Sequence, residues 1–178
     1  MPVFDGKDRD AWQLPHLVVG ALELAPGMTV ADVGAGTGYF EGKLAAAVGD
    51  TGRVIAVDVE PDMVRYLGER YHATGQIEAR LGTPEDPKLI AASVDRILIV
   101  DTWHHIPERV AYAKRLATAL KTGGFVLVVD FTMETSKGPP RPHRIERSVV
   151  IGELEQAGLR AKVIDVGLPD QFVVRAER

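Results

Sequence analysis

Three glycines that alternate with other residues form the most informative stretch of this chain. Gly34, Gly36 and Gly38 follow a short apolar run that ends near Asp32. A helical pattern starts directly after them, at Phe40. Glycines between a strand and a helix let bare backbone approach a small ligand, because side chains there would keep the ligand away. The first N–H groups of the next helix then face that ligand and suit a carboxylate or a phosphate.

The glycine spacing and the nearby acid indicate which ligand the turn suits. A dinucleotide fingerprint, G-x-G-x-x-G, would place its third glycine at Tyr39, whereas here it comes one residue earlier, at Gly38. The carboxylate of Asp32, two residues before Gly34, would repel a pyrophosphate and attract an ammonium group. A ligand with a ribose, no phosphate and a zwitterionic amino-acid end fits both observations. S-adenosylmethionine is such a ligand.

The residues from Asp32 to Gly38 resemble the first motif of the class I S-adenosylmethionine-dependent methyltransferases. The chain is most similar to the small single-domain enzymes of the ubiquinone-biosynthesis and arsenite types. Arsenite chemistry needs thiolates and this sequence has no cysteine, so an arsenic substrate is rejected. The resemblance implies that S-adenosylmethionine is bound by Asp32, Gly34, Ala35, Gly36, Gly38, Tyr39, Asp58, Val59, Thr83, Pro84 and Asp101.

Two of these positions also have a chemical reason of their own. Asp58 ends the second predicted strand, where a carboxylate can accept hydrogen bonds from both ribose hydroxyls, although NAD enzymes use the same position. The ring of Tyr39 could contribute a cation–π contact near a sulfonium, with core packing as the alternative. Val59 would lie along the adenine, again with core packing as the alternative. Thr83 could accept from the adenine amino group.

Glu85 and Asp86 are alternatives to Thr83 for that adenine contact.

The residues after the fourth predicted strand are the catalytic candidates: Asp101, His104 and His105. Asp101 could hold the methionine amino group or orient the substrate. Either histidine titrates near neutral pH and could remove a proton from an acceptor. Because adjacent residues cannot both point the same way, we expect one histidine to face the crevice and the other to pack or cap a helix.

Further side chains are expected around the acceptor. Trp12 and His16 lie on an N-terminal helix that covers the cofactor in similar enzymes. His143 and Arg144 lie in a loop on the other side, where Arg144 would suit an anionic acceptor or remain a solvated charge.

The alternation of strand and helix patterns predicts an α/β fold, a doubly wound parallel sheet with helices on both faces. The resemblance implies a Rossmann-like, mostly parallel sheet of seven strands with a C-terminal antiparallel hairpin. We expect one S-adenosylmethionine-binding domain over residues 1–178, with a helical cap at 1–27 and a substrate-side loop at 131–147. A helix is predicted from Glu108 to Leu120, ending at Gly123 and Gly124, before a strand that starts at Phe125.

Composition limits the classes of function. The formal net charge of −4 argues against a general nucleic-acid-binding surface. The charged start of the chain lacks the apolar segment of a secretory signal, and no window has eighteen consecutive apolar residues. We therefore expect a cytoplasmic protein with no membrane span. The acids are dispersed along strand ends, so no metal is implied.

The predicted function is in-line methyl transfer from S-adenosylmethionine to a small-molecule acceptor. Two alternatives remain open: a non-catalytic S-adenosylmethionine-binding sensor or partner protein, and an NAD(P)-dependent oxidoreductase. Tyr39 in the place of a third glycine and the acid Asp32 disfavour the oxidoreductase.

Overall fold

The structure is a computed structural model that describes residues 8–178. The first seven residues of the predicted 1–27 cap lie outside the described residues. The helices are α1 (Arg9–Gln13), α2 (Pro15–Ala21), α3 (Glu41–Val48), α4 (Pro61–Tyr71), α5 (Arg109–Ala119) and α6 (Arg147–Gln156). The strands are β1 (Thr29–Val33), β2 (Arg53–Asp58), β3 (Ile77–Leu81), β4 (Val94–Val100), β5 (Leu120–Phe131), β6 (Arg160–Ile164) and β7 (Gln171–Glu177).

The seven strands form one sheet in the order β3-β2-β1-β4-β5-β7-β6. The first five strands in this order are parallel to one another, while β7 runs antiparallel to both β5 and β6. This arrangement confirms the predicted mostly parallel sheet and its C-terminal antiparallel pair. Strand order reverses between β1 and β4, which is where open α/β sheets bind ligands.

Alternating residues of the central strands supply two apolar cores, one on each face of the sheet. In β4, Ile97 and Ile99 face the core under α5 and α6, whereas Leu98 and Val100 face the core under α2 and α3. All but Val100 of these four are fully buried. A strand buried on both faces explains the nearly continuous apolar run in its sequence.

The join between α5 and β5 differs from the prediction. The helix ends at Ala119, and Leu120 is already paired with Val94, so the two glycines lie inside the strand instead of ending the helix. The register of β4 and β5 shifts between Val94 and Arg96, which accommodates the extra residues. A Cβ on Gly124 would come within 3.0 Å of two backbone oxygens. The two glycines thus belong to an irregular strand, although in the sequence such a pair looks like the end of a helix.

None of the helices formed by residues 8–178 combines the length and the hydrophobicity that a transmembrane segment needs.

Candidate functional site

A cavity of about 870 Å³ opens at the carboxyl ends of β1, β2 and β4, beside the reversal of strand order. Ten of the eleven predicted cofactor residues line it: Asp32, Gly34, Ala35, Gly36, Tyr39, Asp58, Val59, Thr83, Pro84 and Asp101. Gly38 is the exception. Within residues 8–178, no three His, Cys, Asp or Glu side chains are grouped to hold a metal ion.

The surroundings of the three glycines differ, and only Gly36 has open space where a side chain would start. A Cβ on Gly36 would meet nothing within 4 Å, so it would project into the cavity. A Cβ on Gly34 would lie 2.2 Å from Thr102 Oγ1, and one on Gly38 would lie 2.8 Å from Leu67 on α4. Protein atoms alone therefore exclude side chains at Gly34 and Gly38, whether or not the ligand does so as well. These two glycines allow close packing of the turn against the protein.

Asp58 holds the turn and still has room for a ligand. Its Oδ2 accepts the N–H of Gly36 at 2.8 Å, and its Oδ1 accepts the N–H of Glu60 at 2.9 Å. A carboxylate offers about four acceptor positions, so two bonds leave capacity for the two hydroxyls of a ribose. Asp58 is 8% exposed and lines the cavity.

Asp32 lies in the cavity wall beside a second acid that sequence reasoning missed. Burial raises the pKa of Asp32 to about 7, although a hydrogen bond from Glu41 and the charge of Arg9 act in the opposite direction. Glu41, in the first turn of α3, is fully buried. Burial, and then the charge of Asp32, raise the pKa of Glu41 well above its usual value.

Asp101 connects the site to the N-terminal helix. Gln13 donates to Gln171 at 2.5 Å, and Gln171 donates to Asp101 Oδ1, also at 2.5 Å. Burial raises the pKa of Asp101 to about 7, with the charge of Asp130 adding to the effect and Arg9, 3.9 Å from its Oδ2, opposing it. The residue adopts φ 54°, a left-handed conformation that aspartate tolerates better than most residues.

Tyr39 lines the cavity, and its ring also holds α1 in place. The guanidinium of Arg9 lies 3.9 Å from the ring centroid and the ammonium of Lys43 lies 4.4 Å from it. The hydroxyl donates to Asp10 of α1. In this structure the predicted cation–π contact of Tyr39 is thus made with cations of the protein.

Of the residues considered for adenine, Thr83 and Pro84 line the cavity, whereas Glu85 and Asp86 do not. The carboxylate of Asp86 accepts the N–H of Lys88 at 2.8 Å and also pairs with the side chains of Lys88 and Arg115. Asp86 is therefore turned away from the ligand by its own partners.

The two adjacent histidines separate as expected. His105 lines the cavity, whereas the side chain of His104 is 5% exposed and does not reach the cavity wall. His104 Nδ1 lies 2.9 Å from both carboxylate oxygens of Asp130, at the end of β5. His105 is therefore the histidine that an acceptor could contact, and His104 is bound within the protein.

The far end of the cavity is apolar and lies between α1 and the 131–147 loop. Trp12 and Phe131 approach each other there, with ring centroids 5.8 Å apart, and Pro139 lies on the same wall. His16 is exposed, and neither it nor His143 lines the cavity.

Arg144 does not point to the cavity but fastens the loop. Its guanidinium donates to the carbonyl oxygens of Thr132, Thr135, Lys137 and Pro139 at 2.6–2.9 Å. The prediction of an anion-binding or solvated Arg144 is therefore wrong, because four backbone acceptors surround the group.

Comparison with known proteins identifies the family. A family described as "Methyltransferase domain" matches residues 30–124, more than half of the sequence. The chain belongs to this methyltransferase family. A crystal structure of a SAM-dependent methyltransferase from Aquifex aeolicus superimposes with a TM-score of 0.90 and 31% identity, over 98% of this chain and 94% of that one. S-adenosylmethionine is accordingly the cofactor of this methyltransferase.

Relatives with described functions are more distant. A protein-L-isoaspartate O-methyltransferase from Ignicoccus hospitalis is 28% identical over 72% of this chain and 59% of its own length. A ubiquinone/menaquinone biosynthesis C-methyltransferase from an Enterobacter strain is 28% identical over 60% of this chain and 43% of its own length. The chain spans about half the length of these two relatives. Their different acceptors leave the acceptor of this methyltransferase open.

The residues of the cavity fit S-adenosylmethionine. The space over Gly36 admits a ligand, Asp58 has acceptor capacity for ribose hydroxyls, and the buried acids Asp32 and Asp101 suit an ammonium group. Arg9, the one lysine or arginine among the described residues of the wall, suits a carboxylate.

Several residues of this site lacked a sequence signal. Arg9, Gln13 and Gln171 contact Asp101 or its partners from opposite ends of the chain, 158 residues apart for the two glutamines. Asp130 follows an apolar strand, as Asp32 and Asp58 do, and that shared position was the one available clue.

Proposed function

We propose that this methyltransferase transfers a methyl group to a small, largely apolar molecule whose nucleophile carries a proton, such as a hydroxyl group. When bound, S-adenosylmethionine supplies a methyl group on a positively charged sulfur that an in-line nucleophile can displace. The observation that carries the proposal is one continuous cavity that is lined both by Asp58 and by Trp12, Phe131 and His105.

The size and lining of the cavity support a small acceptor. About 870 Å³ lies within the range of pockets that hold small organic ligands, and this volume must hold the cofactor as well. The aromatic rings of Trp12 and Phe131, with Pro139, favour an apolar or aromatic body. We propose that these residues hold the acceptor against the cofactor and exclude water.

His105 gives the reason for a protonated nucleophile. Burial lowers the pKa of His105, and the charge of His104 lowers it further, so the imidazole is neutral at neutral pH. A neutral imidazole on the cavity wall can accept the proton of a hydroxyl as that oxygen becomes a nucleophile. In this proposal Asp58 binds the ribose hydroxyls, while Asp32 and Asp101 hold the amino group of the cofactor.

The test is an acceptor panel read out by release of S-adenosylhomocysteine. Phenols and other small apolar alcohols should be methylated, and an isoaspartyl peptide and a purely anionic small acid should not. His105→Gln should lower the rate at least tenfold for the hydroxyl acceptors while the affinity for S-adenosylhomocysteine stays within twofold. Gly36→Val provides the inactive control, because its side chain would occupy the cofactor space.

Two outcomes would redirect the proposal. Methylation of the isoaspartyl peptide alone would favour the function named for the Ignicoccus relative. Tight binding of S-adenosylmethionine with no turnover of any acceptor would favour a non-catalytic sensor. The cytoplasmic location and the single domain remain predictions.

A further inference from the structure

The short turn that carries His105 is fastened at both of its other residues. Trp103, His104 and His105 form a 3-10 turn after β4. The indole N–H of Trp103 donates to Glu153 Oε2 at 2.9 Å, and Arg109 donates to the other oxygen of Glu153 at 2.8 Å. His104 is held by Asp130. The turn therefore has buried polar anchors behind it, and His105 is the residue that it presents to the cavity.

Asp130 and His104 make a buried ion pair. The exposed fractions of their side chains are 1% and 5%, and the 2.9 Å distances from Nδ1 to both carboxylate oxygens show a direct charge-assisted contact. The N–H of Phe131 also donates to Asp130 Oδ1 at 2.9 Å. A carboxylate buried this deeply favours a cationic partner, since an unpaired buried charge is costly.

The imidazole of His104 lies against the ring of His105. The two imidazole centroids are 4.1 Å apart, with an angle of 44° between the ring planes. We propose that the Asp130–His104 ion pair is a positioning pair for His105. It fixes the turn that presents His105 to the cavity, and it holds a positive charge behind the ring that keeps His105 neutral and able to accept a proton.

This inference rests on the proposed role of His105 as the base.

The charged groups around His105 act in the same sense. After burial, the charge of His104 is the largest cause that lowers the pKa of His105, while Asp130 on β5 opposes it and His143 of the 3-10 turn Arg141–His143 adds to it. For His104, burial lowers the pKa, but the hydrogen bond and charge of Asp130, together with the charge of Asp101, outweigh burial and raise it. The pKa values of the two histidines are thus shifted in opposite directions.

A histidine titration of the ligand-free protein by NMR tests the inference directly. His104→Asn places a neutral N–H donor where Nδ1 lies, so the bond to Asp130 is kept and the charge is lost. We expect the pKa of His105 to rise by about 0.5–1 units, the scale of two unit charges about 4 Å apart in a high-dielectric setting. Asp130→Asn should lower the pKa of His104. It should also raise the pKa of His105, but by less than His104→Asn does, because the negative charge of the carboxylate and the positive charge of His104 are lost together.

His72→Asn is the matched control. This histidine is exposed at the end of α4, and its Nδ1 contacts a backbone oxygen, so its replacement should leave the titration of His105 unchanged. An unchanged pKa of His105 in folded His104→Asn would overturn the inference, because the positive charge of His104 has been removed. If the His104→Asn shift occurs but His105→Gln keeps full turnover, the proposed base fails while the ion pair's effect on His105 stands. The two failures are therefore distinguishable.

Discussion

Replacing the three glycines of the turn by alanine, one at a time, separates ligand space from protein packing. All three have positive φ, at 84° for Gly34, 57° for Gly36 and 86° for Gly38. Left-handed backbone costs an L-residue about 1–2 kcal/mol, so each replacement carries at least that penalty. Their surroundings differ, so the loss of stability beyond this backbone cost should differ among the three variants.

The contacts of the added Cβ give the order. At Gly36 it meets nothing within 4 Å, so the loss of stability should stay near 1–2 kcal/mol. At Gly34 it would meet three atoms of Thr102 at 2.2–2.8 Å, and forced overpacking adds about 1–3 kcal/mol. At Gly38 the neighbours are the ends of Leu67 and Tyr71 at 2.8 and 3.0 Å, which gives an intermediate loss.

Thermal unfolding of the ligand-free protein and calorimetric binding of S-adenosylhomocysteine measure the two effects. For a chain of this length each kcal/mol corresponds to about 2–4 °C in Tm. Gly34→Ala should lose most in Tm, Gly38→Ala less and Gly36→Ala least. Gly36→Val should show no detectable binding while it remains folded.

A double replacement provides the control. Thr102→Ala removes the two atoms nearest to the new Cβ of Gly34→Ala, so the pair should recover part of the lost Tm, which a double-mutant cycle quantifies. Native binding affinity in Gly36→Val, or equal Tm losses at Gly34 and Gly36, would refute this division of roles.

Three further predictions concern the charges and the loop. Asp58→Ala should weaken S-adenosylhomocysteine binding by about 1.5–3 kcal/mol in calorimetry, the scale of hydrogen bonds to a charged group, and native affinity in a folded variant would remove the ribose assignment. Because Asp32 and Asp101 have pKa values raised to about 7 and an ammonium ligand favours their ionised forms, affinity should fall about fivefold per carboxylate from pH 7 to pH 6. Asp101→Asn should weaken this pH dependence. An affinity of the unsubstituted protein that does not change between pH 7 and pH 6 would contradict the prediction. Arg144→Ala should speed proteolysis within 131–147 and raise the KM for the acceptor while the affinity for S-adenosylhomocysteine is kept, and an unchanged proteolysis rate would count against the anchoring role.

The neighbouring sequence was sufficient to predict most of the cofactor candidates that line the cavity. Gly36 lies in the turn after β1 and Asp58 ends β2, and such positions can be predicted from the neighbouring sequence. The mostly parallel sheet with its antiparallel C-terminal pair followed from the strand–helix alternation and from the family resemblance. Gly123 and Gly124 misled the prediction, because glycine permits both a helix end and an irregular strand.

Long-range side-chain contacts could not be predicted in the same way. The sequence predicts an anion-binding or solvated Arg144, because the four carbonyl groups that bind it come together only when the loop folds. The chain from Gln13 through Gln171 to Asp101 joins three elements distant in sequence. Each of these contacts depends on tertiary geometry that no local pattern specifies.

The charge of the cavity explains why the turn suits an amino-acid ligand and not a dinucleotide. The sequence predicts Asp32, Asp58 and Asp101 in the cofactor site, and all three line the cavity. Arg9 is the one lysine or arginine among the described residues of that wall. Two unit charges 4 Å apart interact by about 4 kcal/mol at an effective dielectric constant near 20, so a diphosphate facing these acids would meet a repulsion of several kcal/mol. An ammonium group gains from the same acids, and it also returns Asp32 and Asp101 to their ionised forms. Ionised carboxylates that are buried without a cation cost free energy in the ligand-free protein, and a bound cation offsets that cost. The site therefore favours a positively charged ligand over a negatively charged one.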